Sequence, residues 1–248
     1  MIGRLGRFAR RLLFPARCAA CGALLGREEG FCADCAADLP EIAGERCPVC
    51  GRGKGACFCR RQARFYARSV APFYFDGPMR NAIYRIKTSG KFGGLTTLAE
   101  RAAQTVRQEY GQVRFDLVCC TPMTRRELRR RGFNQAALLA CRVAKRLRVP
   151  FSERALRKLF DTRPQKSLSA TLRRGNVAGV FAVRRPAQVR GKTILLFDDV
   201  ISTGATLDEC AKMLRLAGAK TVYAAGVCLA KKHAEPEEAE ETNSQNSI

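Results

Sequence analysis

Thr193-Ile194-Leu195-Leu196-Phe197-Asp198-Asp199-Val200-Ile201-Ser202-Thr203-Gly204-Ala205-Thr206 is the stretch that decides how this chain folds. The four apolar residues from Ile194 to Phe197 read as a strand covered on both faces, because a half-exposed strand would alternate with polar residues. The strand is expected to end where Asp198 and Asp199 begin. Unpaired carboxylates are costly to bury, so two at a strand's carboxyl end point to a solvent-facing site. Ser202, Thr203, Gly204, Ala205 and Thr206 follow directly, and a helix is expected over 205–217. The unit is a strand, an acid pair, a hydroxyl-bearing loop and a helix N-terminus. Loop N–H groups, hydroxyls and the positive helix end together can cradle a phosphate. The carboxylates can accept hydrogen bonds from sugar hydroxyls.

Around this unit the elements alternate in type. Strands are expected over 70–75, 115–120, 180–183, 193–197 and 221–229, with a weaker one within 151–159. Helices are expected over 79–87, 95–110 and 134–148, besides the one after Gly204. Such alternation argues for an α/β domain with a mostly parallel sheet and helices on both faces. In such a sheet ligands bind beyond the carboxyl ends of the strands, where the acid pair falls.

Upstream the composition changes. Eight of the thirteen cysteines lie between residues 18 and 59. They are spaced Cys18-x2-Cys21, Cys32-x2-Cys35, Cys47-x2-Cys50 and Cys57-x-Cys59. Each pair suits a turn that brings two thiolates onto one tetrahedral Zn²⁺. Gly22 and Gly51 follow two of the pairs and permit a tight knuckle. Two closed sites are expected: Cys18, Cys21, Cys32 and Cys35 on one ion, and Cys47, Cys50, Cys57 and Cys59 on the other. Sites of four thiolates are structural. A disulfide framework would need an oxidising compartment, and an iron–sulfur cluster is the other alternative. The single histidine, His233, lies far from the array. About forty residues with few large apolar side chains can hardly bury a core, so metal is expected to supply folding energy. The other cysteines, Cys119, Cys120, Cys141, Cys210 and Cys228, sit in apolar periodic contexts and read as small core residues.

The organisation expected is therefore a basic amphipathic helix at 1–15, a zinc module at 16–60, an α/β domain at 65–232 and an acidic disordered tail at 234–248. No apolar run approaches the length of a membrane span. The formal charge is +23, with five glutamates gathered in the tail, so the body is more basic still. Such a body attracts polyanions, although charge alone selects no ligand. Five arginines fall in the seven positions from Arg125 to Arg131. Guanidinium groups bind phosphate oxygens in forked pairs, which makes the segment a candidate anion contact; a charged surface turn is the plainer reading. The polar segment from Arg163 to Asn176 has the length and composition of a lid.

The 198–206 stretch resembles the phosphoribosyl pyrophosphate (PRPP) loop of type I phosphoribosyltransferases, Asp-Asp-x-x-Thr-Thr-Gly-x-Thr, with Ser202 in place of the first threonine. It is not a Walker A loop, because Gly-Lys-Ser/Thr is missing. The chain as a whole resembles the ComF family of bacterial proteins, which joins an N-terminal double zinc ribbon to a type I phosphoribosyltransferase domain. The landmarks run in order over residues 12 to 231: the cysteine array, Lys87 with Gly90, Arg131-Gly132-Phe133-Asn134-Gln135, Gln165, Arg174 with Asn176, and the Asp198 loop. Two positions depart: Cys120-Thr121-Pro122 stands for Pro-x-Pro, and Lys91 follows Gly90 where the family has an acid.

The resemblance implies a cytoplasmic protein linked to natural competence, to competence proteins and to imported single-stranded DNA. It implies that Asp198 and Asp199 hold the ribose of PRPP, and that Ser202, Thr203, Gly204, Ala205 and Thr206 surround its 5′-phosphate. Mg²⁺ would accompany the PRPP. Lys87, Thr121, Arg131, Asn134, Gln135, Gln165, Arg174 and Asn176 become contacts to pyrophosphate, lid or substrate. No acceptor is implied. A non-catalytic nucleic-acid-binding or adaptor role on a repurposed fold stays open beside phosphoribosyl transfer. The zinc module has few aromatic residues, Phe31 and Phe58 among them, which weighs against base stacking there.

Overall fold

The computed structural model describes residues 16–26, 30–59, 62–90, 93–160 and 179–231. The expected helix at 1–15, Lys91, the lid with Gln165, Arg174 and Asn176, and the acidic tail lie outside the described residues. The strands are β1 (Ser69–Val70), β2 (Phe73–Tyr74), β3 (Leu117–Cys120), β4 (Phe151–Ser152), β5 (Leu156–Lys158), β6 (Phe181–Val183), β7 (Thr193–Ile201) and β8 (Thr221–Leu229). The helices are α1 (Ala33–Ala37), α2 (Gly77–Ser89), α3 (Leu95–Glu109), α4 (Arg125–Arg131), α5 (Gln135–Leu147) and α6 (Ala205–Leu216).

The main sheet is parallel throughout, in the order β1-β8-β7-β3-β4, with β2 also on β8. One strand expected over 70–75 is two short ones, broken at Ala71-Pro72, where proline has no N–H for the ladder. The weak strand within 151–159 is likewise two pieces; β4 joins the sheet and β5 pairs antiparallel with β6.

Period-two alternation splits the core. Leu195 and Phe197 pack with α2, α3 and α5, while Ile194 and Leu196 pack with α6, β5 and β6. Cys119, Cys120, Cys210 and Cys228 are buried in these layers, and Cys141 is half-buried. The strand expected to stop at Phe197 runs on to Ile201, because Asp198 pairs with Gly226 and Val200 with Cys228 of β8. The acid pair is therefore within the ladder.

The order of the strands fixes where a ligand can enter. The chain leaves β3 through α4 and α5 to reach β4 on one side. It leaves β7 through α6 to reach β8 on the other. The connections diverge, and α5 and α6 lie on opposite faces, so a crevice opens above the carboxyl ends of β3 and β7.

Candidate functional site

Thr121 follows β3, Asp198 lies in β7, and the two meet in this crevice. Asp198 Oδ1 accepts from Thr121 Oγ1 at 2.9 Å and from the Asp199 N–H at 2.9 Å. Asn134 holds the opposite wall. Its Nδ2 donates to the Thr121 carbonyl at 3.0 Å, while its Oδ1 accepts from the N–H groups of Ala136 and Ala137 and so caps α5. A pocket of about 180 Å³ sits between them, bounded by Asp198, Thr206, Arg131, Gln135, Lys158 and Phe181 among others.

Neighbouring residues of a strand point to opposite faces, and the two aspartates obey this. Asp198 faces the pocket. Asp199 is buried on the other face and meets Lys87 of α2, with Nζ to Oδ2 at 2.5 Å. The expectation of two solvent-facing carboxylates is thus corrected: only Asp198 lines the pocket. Burial pushes the Asp198 carboxyl well above the usual range, and the Asp199 charge adds to this; the Thr121 hydroxyl and Lys87 oppose it. Burial also opposes ionisation of Asp199, but the Lys87 ammonium outweighs it and holds this carboxyl below its ordinary value. Burial works against the charge on Lys87 in turn, and Asp199 more than compensates, so the ammonium is kept to higher pH. Lys87 also borders a cleft of about 440 Å³ with Gly90, Arg130, Arg131 and Phe133. Arg131 lines both cavities, and its guanidinium donates to Gln135 Oε1 at 2.7 Å.

The loop after β7 turns sharply. Gly204 has φ +79°, and a Cβ there would stand 2.5 Å from the Tyr66 hydroxyl, so only glycine fits. Thr203 Oγ1 accepts from the Ala205 N–H at 3.3 Å, which starts α6. Among the described residues no hydrogen bond to protein engages the N–H groups of Thr203 and Gly204.

The arginine segment is a helix, α4, where a charged turn was the plainer expectation. Thr124 and Glu127 form a reciprocal capping box at its start, a Thr-x-x-Glu signal present in the sequence. Glu127 also pairs with Lys158 at 2.9 Å, drawing that lysine to the pocket. Lys158 was not anticipated, since it lies on a strand far along the chain. Arg52 and Arg64 were not anticipated either. Arg52 NH2 donates to the Ser202 carbonyl at 2.5 Å, and Arg64 NH2 to the Thr203 carbonyl at 3.1 Å.

In the N-terminal module the cysteines gather as two sets of four, Cys18, Cys21, Cys32 and Cys35, and Cys47, Cys50, Cys57 and Cys59. Within each set all sulfurs lie within 4.8 Å of one another. None of these cysteines is in a disulfide. The distances Cys21–Cys32, Cys47–Cys59, Cys50–Cys57 and Cys57–Cys59 are 3.7, 3.8, 3.6 and 3.5 Å. Four thiolates on a tetrahedral Zn²⁺ would be about 3.8 Å apart, given a Zn–S bond of about 2.3 Å. Burial works against the Cys18 thiolate, but the backbone N–H groups of Cys32, Cys21 and Ala20 outweigh it and bring its pKa to about 6. The donor sets fit structural zinc, and the second module has little else as a core: Cys47, Cys50 and Cys59, with Val49 and Cys57 against them.

Comparison with known families agrees with this geometry. The Double zinc ribbon domain family matches residues 9–69, and the Phosphoribosyl transferase domain family matches residues 134–248. The chain thus carries a double zinc ribbon followed by a phosphoribosyltransferase fold, and it is similar to DNA utilization and competence F proteins. It is 28% identical over 214 residues to the DNA utilization protein YhgH of Salmonella typhi, covering 85% of this chain and 89% of that one. It is 27% identical over 230 residues to competence protein F of Haemophilus influenzae, covering 88% and 98%. It is 26% identical over 197 residues to competence protein ComFC of Streptococcus pneumoniae, covering 77% and 84%. Among the described residues no helix is long and apolar enough to cross a membrane.

Two measurements check this zinc-ribbon phosphoribosyltransferase architecture. Metal analysis of the purified chain should return two zinc ions, falling to one in Cys35→Ser and in Cys57→Ser. Asp198→Asn should stabilise the fold at neutral pH. Asparagine keeps both hydrogen bonds made by Oδ1 and removes a carboxyl that resists ionisation when folded. A carboxyl with a raised folded pKa loses stability as pH climbs from its ordinary value of 3.8. The gain from asparagine should thus vanish in acid and be complete above the raised pKa. A rise in melting temperature of about 2–4 °C is expected, corresponding to about 1 kcal/mol in a chain of this size.

Proposed function

We propose that the crevice binds PRPP and that the chain acts on it as a phosphoribosyltransferase. The observation that carries this reading is the Asp198 carboxylate beside a loop whose Thr203 and Gly204 amides have no protein acceptor among the described residues. In the proposed complex the 5′-phosphate sits on Ser202, Thr203, Gly204, Ala205 and Thr206. The ribose hydroxyls donate to Asp198. Asp199 acts from behind, holding Lys87 as an ammonium at the edge of the second cleft. There Lys87, Arg130 and Arg131 face the pyrophosphate, and Gln135 and Thr121 fix the orientation of Arg131 and Asp198. Mg²⁺ arrives with PRPP. Among the described residues Asp198 has no ion-pair partner, so it is the site's available carboxylate toward that metal. When bound, the metal would supply positive charge toward the pyrophosphate. Departure of pyrophosphate leaves an oxocarbenium-like sugar, a reaction that needs charge neutralisation more than a strong base.

Titration calorimetry with PRPP and Mg²⁺ tests this. Wild type should bind, and Asp198→Asn should bind at least tenfold more weakly, about 1.4 kcal/mol, although it is the more stable protein. Ribose hydroxyls favour the ionised carboxylate, so wild-type affinity should climb with pH through the Asp198 titration, and that climb should be missing in the variant. Absence of heat from PRPP with Mg²⁺ would exclude the reading.

A second reading, single-stranded nucleic acid, has its own support. A groove of about 1100 Å³ adjoins the crevice, lined by Arg125, Arg126, Arg129, Arg154, Arg157 and Arg184 with Leu128 and Phe160 exposed beside them. It suits a sugar–phosphate backbone with apolar surfaces for bases. The names of the relatives, DNA utilization and competence proteins, agree with it. Affinity for an oligodeoxynucleotide should fall steeply with salt. Replacing Arg125, Arg126 and Arg129 by alanine should flatten the log–log slope by about two.

A further inference from the structure

Arg52 belongs to the second zinc ribbon, two residues after the ligand Cys50, yet its side chain ends in the phosphoribosyltransferase domain. It is 2% exposed. Its Nε donates to the Ala230 carbonyl at 2.8 Å, and its NH2 to the carbonyls of Ser202 at 2.5 Å and Ile201 at 3.4 Å. The Phe58 ring lies against the guanidinium, 4.2 Å from carbon to centroid. Among the described residues no carboxylate pairs with Arg52. A buried cation is therefore held by backbone carbonyls of the hydroxyl loop. Arg64, in the joint between the domains, treats the next carbonyl in the same way, reaching Thr203.

The geometry of the peptide unit gives these contacts a consequence. A trans peptide sends its C=O and its N–H in opposite directions. When the carbonyl of Ser202 is drawn to Arg52, the N–H of Thr203 must point the other way. When the carbonyl of Thr203 is drawn to Arg64, the N–H of Gly204 is turned outward too. Among the described residues neither of these amides has a protein acceptor. The unneutralised charge of Arg52 also stands directly behind the loop, where it favours an anion in front.

The backbone of Arg52 is in turn fixed by the zinc knuckle. Its carbonyl accepts from the Cys47 N–H at 2.7 Å, and Gly51 N–H donates to the Cys47 carbonyl at 3.0 Å. Gly51 has φ +69°, and a Cβ there would lie 2.1 Å from the Ser69 carbonyl oxygen of β1. The knuckle is thus seated on the sheet edge with no room to shift. Among the described residues the first ribbon makes no such contact with the loop: its Gly22 and Gly30 lie against Arg85 of α2 and Thr97 of α3.

We propose that Arg52 is a positioning residue for the anion loop, and that the second zinc site, not the first, controls how tightly that loop holds phosphate. The proposal rests on the PRPP reading for its ligand but not for its geometry. Backbone ¹⁵N relaxation in the full-length, zinc-loaded chain separates the two. In Arg52→Gln that retains two zinc ions, the order parameters of the Thr203 and Gly204 amides should fall from about 0.85 to below about 0.6, while those of β3 are unchanged. PRPP–Mg²⁺ should bind about tenfold more weakly, the scale of one lost charged hydrogen bond, with partial recovery in Arg52→Lys. Cys57→Ser should reproduce the loss of order, whereas Cys35→Ser should leave it at the wild-type value. Should Arg52→Gln lose its metal, Arg64→Gln, which lies beyond the last zinc ligand, should loosen the Gly204 amide alone. Wild-type order in Arg52→Gln or Arg64→Gln, or equal effects of the two cysteine variants, would overturn the proposal. A wild-type chain that ignores PRPP would remove the ligand reading and leave the relaxation result to decide the clamp.

Discussion

Two consecutive carboxylates on a strand buried from both sides are the constraint around which this molecule is arranged. Period-two alternation must send them to opposite faces, one sealed beneath α2 and the other open only through the crevice. One of them, Asp199, is answered by a cation carried on α2. The other is answered by a hydroxyl, the Thr121 Oγ1, which satisfies a lone pair without neutralising a charge. The result is an asymmetric pair. One acid is spent on structure and keeps Lys87 charged, and the other is left short of positive charge. A ligand that brings hydroxyl donors or a metal ion completes the second acid. The fold thus stores an unsatisfied demand at the one place where its topology opens a crevice.

That placement follows from connectivity. The chain runs from β3 outward to β4 and from β7 outward to β8, in opposite directions and over opposite faces. No helix can cover the junction of β3 and β7. Two consequences share this origin: the pocket beside Asp198 and the capped start of α5 at its wall, where Asn134 meets Thr121. The short antiparallel pair β5–β6 packs beside α6 and brings Lys158 and Phe181 to the pocket wall.

The sheet, its helices and the turn from β7 into α6 were legible because each leaves a local trace: an apolar run, a 3.6-residue period, a hydroxyl cluster after acids. The eight thiol ligands were legible from spacing alone. What escaped is nonlocal. The end of β7 was misplaced because Asp198 looks like a strand terminator in sequence, while its pairing with Gly226 is a property of β8. The break at Pro72 carried a signal in the proline itself. The burial of Asp199 depended on Lys87, more than a hundred residues away, and the capping box of α4 was visible in Thr124 and Glu127. Arg52 left no trace at all. In sequence it is one more arginine in a basic chain, and only the docking of the ribbon against β1 turns it inward.

Ion pairs between neighbouring elements occupy most of the interior acids of this basic protein. Glu109 takes Arg46 and Arg68, Asp208 takes Arg64, Glu127 takes Lys158 and Asp199 takes Lys87. Asp198 apart, these interior acids are matched to cations at element contacts, which leaves the surplus of arginine outward. Helix α4 distributes part of that surplus by its pitch. Arg125, Arg126 and Arg129 face the large groove, Arg130 faces the Lys87 cleft, and Arg131 stands on the ridge between cleft and pocket. On the proposed reading, a seven-residue helix therefore gives the diphosphate side two arginines and gives the groove three for a longer chain. A polyanion in the groove would raise the cost of placing a second anion in the crevice, since both draw on one helix and one field. Sugar phosphate and nucleic acid are for that reason expected to oppose each other's binding on this scaffold, and the coupling runs through α4, with no conformational change required.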